Sequence, residues 1–61
     1  MKADTITLQF QTGLISMREA AADLRTLAAQ SAFNANYSDS PGSYWRWTQE
    51  AQAARLALAS L

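Results

Sequence analysis

Hydrophobic and polar side chains alternate strictly over residues 5–11, near the start of the chain. In an extended backbone Ile6, Leu8 and Phe10 would share one face, and the Thr and Gln side chains between them would share the other. The alternation predicts a half-buried β-strand over about residues 5–11, which Gly13 would end. Because a lone strand is unstable in water, we expect pairing with the same segment of a second copy, with Ile6, Leu8 and Phe10 in the dimer interface.

After Gly13 the apolar spacing changes to a helical period. Ser16 and Glu19 have the spacing of a capping box, in which each side chain bonds a free backbone N–H, so a helix should begin at Met17. We expect it to cover about residues 17–32. At 100° per residue, one stripe of this helix collects Met17, Ala20, Ala21, Leu24, Leu27 and Ala28.

The segment NANYSDSPGS has turn-forming residues and no apolar period, which predicts a loop over about residues 34–40. Ser40 and Pro41 then suit the N-cap and first position of a second helix, over about residues 41–60. Its apolar stripe comprises Tyr44, Trp47, Ala51, Ala54, Leu58 and Leu61. The pattern therefore predicts a single α+β domain over residues 1–61, mainly helical, with a short N-terminal β-strand followed by an antiparallel two-helix hairpin.

Trp45 lies outside the stripe of Trp47, because residues two apart on a helix point about 200° away from each other. Trp45 could fold back over the loop onto Tyr37 or Phe33. Alternatively, it could belong to a second apolar patch that contacts another chain, since tryptophan is enriched at interface hot spots. In that interpretation the partner-binding residues are Trp45, Arg46, Gln52 and Leu56.

Composition argues against catalysis and against a structural metal or cofactor. The 61 residues include no Cys and no His, so a thiolate, an ordinary general base near neutral pH and the usual zinc ligands are all missing. Glu19 and Asp23, one helical turn apart, are typical of a solvated face near a helix N-terminus. Gly13 and Gly42 are isolated, which excludes a Gly-rich phosphate loop. We therefore expect no enzyme activity, cofactor or metal.

Net charge is zero, with five basic and five acidic residues, so no overall field attracts this chain to nucleic acid or an anionic membrane. Its N-terminal residues alternate where a secretory signal has a continuous apolar run, and no stretch approaches the roughly 20 apolar residues of a membrane span. We expect a cytoplasmic protein with no membrane contact.

The order strand, helix, loop, helix resembles the ribbon-helix-helix family of dimeric DNA-binding proteins. The resemblance implies that paired N-terminal strands enter the major groove, with Ile6, Leu8 and Phe10 facing the dimer core. The side chains that would then read base edges are Thr5, Thr7, Gln9 and Gln11. The run GLISMREAA also resembles strand-to-helix turns of bacteriophage portal proteins, which implies a phage origin.

These patterns favour a small non-catalytic protein-binding module, a homodimeric regulator or inhibitor of an unidentified partner protein. Two alternatives stay open: a ribbon-helix-helix-like DNA-binding transcriptional regulator, and a small structural or adaptor component of a larger assembly.

Overall fold

The computed structural model describes residues 2–61, and these form three α-helices with no β-strand among them. Helix α1 covers Ala3–Gln11, α2 covers Met17–Asn36 and α3 covers Pro41–Ser60. The connection between α2 and α3 is short, so these two long helices pack side by side as an antiparallel hairpin. The molecule is elongated, with principal extents of 38 × 17 × 14 Å.

The predicted N-terminal β-strand is wrong, and with it the α+β fold, because residues 5–11 belong to helix α1. Ala3, Ile6 and Phe10 have spacings of three and four residues, so they line one side of a helix. Ile6 and Phe10 would also share one face of a strand, which is why the alternation is ambiguous. Ala3 and Ile6 are buried and Phe10 packs against them at the edge of the core. A helix also satisfies its backbone hydrogen bonds internally, whereas a single strand needs a second one.

Gly13 terminates helix α1 rather than a strand. Its φ of +82° is left-handed, a conformation that glycine adopts without a steric penalty. The Leu14 N–H donates to the Gln9 carbonyl at 2.9 Å, and the Gly13 N–H donates to the Phe10 carbonyl at 3.1 Å. This pair of bonds is the Schellman arrangement, which satisfies carbonyls that the end of a helix leaves free.

Both long helices begin at side-chain caps. The Glu19 N–H donates to the Ser16 hydroxyl at 3.1 Å and the Ser16 N–H donates to the Glu19 carboxylate at 3.4 Å, so the capping box is confirmed. At α3 the Ser43 N–H donates to the Ser40 hydroxyl at 3.2 Å, directly before Pro41. Helix α2 ends at Asn36, beyond the position where the polar run predicts its end.

A narrow core lies where the three helices meet. Its buried residues are Ala3, Ile6, Ala20, Leu24 and Ala54, and the partly buried side chains around them are Phe10, Ile15, Leu27, Ala28, Ala57, Leu58 and Leu61. Met17 and Tyr44, which the apolar stripes placed in the core, are instead exposed. Both lie in the first turns of their helices. The large apolar side chain of α2 that is fully buried is Leu24.

Candidate protein interface

Large apolar side chains are more often exposed than buried in this structure. Among the described residues, Ile6 and Leu24 are the large apolar side chains that are fully buried. The exposed ones are Leu8, Leu14, Met17, Phe33, Tyr37, Tyr44, Trp45 and Leu56. Single exposed apolar residues are ordinary, but aligned ones on a soluble domain commonly mark a binding surface.

Trp45 and Leu56 are aligned in this way on helix α3. Their side chains are 61% and 62% exposed. At 100° and 1.5 Å per residue they lie about 20° apart around the helix axis and about 16 Å apart along it. Gln52 lies between them in nearly the same direction and is also exposed. Three of the four predicted partner-binding residues therefore share one side of α3.

We call this side the α3 outer face, comprising the exposed residues Trp45, Gln49, Gln52, Ala53, Leu56 and Ala59. None of them is charged. The charged residues of Pro41–Ser60 are Arg46, Glu50 and Arg55, which helix geometry places about 90° or more from the centre of this face. A solvated helix face normally has charged side chains, so an uncharged face with an exposed tryptophan is unusual.

Trp45 does not fold back over the loop. Its aromatic neighbour is Tyr44, whose ring centroid lies 6.0 Å away at an interplanar angle of 75°. Phe33 and Tyr37, the aromatic residues on which it could have packed, instead lie against each other with centroids 4.6 Å apart. Phe33 lies in the last turn of α2 and Tyr37 is its C-cap residue, four positions on. This spacing is visible in the sequence, but neither residue belongs to the apolar stripes.

Arg46, the fourth predicted partner-binding residue, lies on a different side of α3. Its guanidinium carbon is 5.0 Å from the centre of the Trp47 ring, within the range of a cation–π interaction. Both side chains border an open groove of about 520 Å³ between the N-terminus of α1 and the α2–α3 hairpin. The residues lining this groove are Lys2, Leu27, Gln30, Ser31, Asn34, Arg46, Trp47 and Glu50.

The residues predicted for a strand-paired dimer do not form one surface. Ile6 is buried in the subunit's own core, Phe10 is partly buried beside it, and Leu8 is 60% exposed on the opposite side of α1. The likeness to ribbon-helix-helix proteins depends on the same strand, so it is lost too. Thr5, Thr7, Gln9 and Gln11 point in several directions around α1 instead of sharing a strand face.

Within residues 2–61, no group of three or more Asp, Glu, His or Cys side chains lies close enough together to hold a metal ion. Over the same residues, every helix is too short or too polar to cross a lipid bilayer. Comparison with protein families, curated proteins and solved structures found no match to this chain. The functional interpretation therefore depends on the chain's own residues.

Proposed function

We propose that this chain is a small non-catalytic protein-binding module that regulates or inhibits a partner protein through the α3 outer face. The observation that supports the proposal is the alignment of Trp45 and Leu56, both about three-fifths exposed, on a face without charge. An exposed tryptophan presents a large apolar area at little cost in side-chain entropy, and such residues anchor many protein interfaces.

The chemistry of the face favours a protein over a polyanion. A nucleic-acid surface is bound mainly through Lys and Arg, whereas the α3 outer face has neither. Gln49 and Gln52 each present an amide that can both donate and accept, which suits the backbone and side-chain groups of another protein. We propose the cytoplasm as the site of action, and fractionation of cells that express a tagged chain tests that part.

A second candidate function is supported by the other exposed aromatic pair. Phe33 lies on α2, on the side of that helix away from the buried Ser31 and Ala35, and Tyr37, the C-cap residue of α2, packs against it. A module with apolar side chains on the outer sides of both α2 and α3 could join two partners. This arrangement supports the role of a structural or adaptor component in a larger assembly.

The proposal is tested by capture with matched variants. Wild type, Trp45→Ala and Phe33→Ala are immobilised at equal density. Phe33→Ala is the matched control, because Phe33 and Trp45 are both 61% exposed. A protein that binds the α3 outer face should be retained by wild type and Phe33→Ala and lost by Trp45→Ala. Capture of a second protein that is lost only with Phe33→Ala, beside one that is lost only with Trp45→Ala, would support the adaptor function. Capture that is the same for all three chains would contradict both proposals.

A further inference from the structure

We infer that the α3 outer face docks onto the α3 outer face of a second copy, with the two helices antiparallel across a two-fold axis. The inference rests on the proposed function, because it uses the same binding face and makes a second copy of the chain an occupant of it. The axis would cross the α3 outer face between Gln49 and Gln52, at the height along the helix that is midway between residues 50 and 51. Trp45 of each subunit would then pack against Leu56 of the other.

The positions of the exposed side chains support this symmetry. Trp45 and Leu56 are equidistant from the midpoint between Glu50 and Ala51, and so are Gln49 and Gln52. Rotation about a two-fold axis at that midpoint therefore brings each Trp45 opposite a Leu56 and each Gln49 opposite a Gln52. In the parallel arrangement, Trp45 would meet Trp45 and Leu56 would meet Leu56. The antiparallel pair thus places a large ring over a smaller aliphatic side chain at both ends of the contact.

Within the face itself, charge and side-chain size also suit a second copy. No charge lies within the face and the whole chain has zero net charge. At the two edges of the face, about 90° from its centre, the same rotation brings Arg46 of each copy near Arg55 of the other, a like-charge pair that weakens the contact and favours a reversible dimer. Gln49 and Gln52 can hydrogen-bond each other across the centre, because an amide is both donor and acceptor. Ala53 and Ala59 leave room for the second helix to approach to an ordinary interaxial distance of about 8–10 Å.

The small size of the face is typical of a weak, reversible contact. Helix α3 has 20 residues and so is about 30 Å long. One helix per subunit covers an area at the low end of specific interfaces, below about 1,200 Å² in total, where transient complexes are found. We therefore expect a reversible dimer with a dissociation constant in the micromolar range.

A pair of double variants tests the axis. In the antiparallel dimer position 49 faces position 52 of the second copy, so Gln49→Lys/Gln52→Glu creates two attractive contacts and Gln49→Glu/Gln52→Glu creates two repulsive ones. Sedimentation equilibrium should show that the first variant dimerises at least as well as wild type and that the second is weaker by about tenfold or more. In a parallel dimer both variants would be weakened, because position 49 would face position 49, and that result would overturn the antiparallel arrangement.

Trp45→Ala separates failure of the dimer from failure of the binding function. It should weaken dimerisation by about 30-fold or more, the factor that corresponds to a hot spot, whereas Phe33→Ala should leave it unchanged. A wild-type chain that stays monomeric at high micromolar concentration would overturn self-docking. If Trp45 still determines capture of a different protein in that case, the proposed function survives. If it does not, both proposals fail.

Discussion

Trp45 and Trp47, two positions apart on α3, lie on opposite sides of that helix: Trp45 is largely exposed, while Trp47 is half-buried under the Arg46 guanidinium. Trp47→Ala should therefore lower the free energy of unfolding by about 1–3 kcal/mol, less than the ~3–5 kcal/mol of a fully buried ring. Trp45→Ala should change it by no more than about 0.5 kcal/mol.

Urea denaturation of the two tryptophan variants, below the concentration at which the chain dimerises, measures this difference. Equal losses in both variants would show that Trp45 supports the fold of the single subunit, and the α3 outer face would then not be free for a partner.

Leu24 should be the most sensitive large side chain of the hairpin, because it is fully buried between the helices. Leu24→Ala removes buried methyl groups and leaves a cavity, so it should cost about 2–5 kcal/mol. Leu56→Ala makes the same chemical change on the surface and should cost about 0.5 kcal/mol or less. Thermal unfolding followed by circular dichroism checks both. A Leu24→Ala chain that melts with wild type would place the core elsewhere.

Ser31 is a buried polar residue whose hydroxyl finds no hydrogen-bond partner among the described residues. A buried unpaired hydroxyl destabilises the folded state, and alanine has the higher helix propensity, so Ser31→Ala should stabilise the protein by about 1–2 kcal/mol. Ser38→Ala is the control, because its hydroxyl donates to the Asn34 carbonyl at 2.8 Å and its removal should not stabilise. A loss of stability in Ser31→Ala, measured by urea denaturation, would mean that this hydroxyl has a partner in solution.

The two glycines should respond in opposite directions to alanine. Gly13→Ala puts a side chain on a residue with φ of +82° and should cost about 1 kcal/mol, although no atom lies within 4 Å of the new Cβ. Gly42 is in the first turn of α3, also with open space around it, so Gly42→Ala should stabilise by up to about 0.5–1 kcal/mol. Differential scanning calorimetry should show melting temperatures on either side of wild type. Two shifts of the same sign would contradict the left-handed assignment of Gly13.

The two long helices could be predicted from the sequence because their signals are local. Ser16 with Glu19, and Ser40 with Pro41, satisfy backbone groups within a few residues, whatever the rest of the fold does. The side of α3 that Trp45 occupies also follows from helix geometry alone. Each of these inferences needs one element at a time, and the distant parts of the chain do not change it.

Helix α1 could not be predicted in the same way, since Ile6 and Phe10 fit one side of a strand and one side of a helix equally well. Leu8 distinguishes the two: a strand would bury it, and the structure exposes it. Which residues of α1 are buried depends on the surface of α2 and α3 against which α1 packs. The local alternation of apolar and polar residues contains no information on that surface. The side of Arg46 was missed for a simpler reason, as one helical step of 100° separates it from Trp45.

Helix α1, which ends at the Schellman turn of Gly13, also determines how the molecule opens. Helix α1 is short and contributes Ala3 and Ile6 as its fully enclosed side chains, whereas the hairpin has its own contacts along two long helices. Segments with few enclosed apolar groups detach at a lower free energy than the rest of a domain. Amide protons of α1 should therefore exchange with deuterium before those in the centre of α2, and each such excursion would uncover Leu24 while the hairpin stays intact.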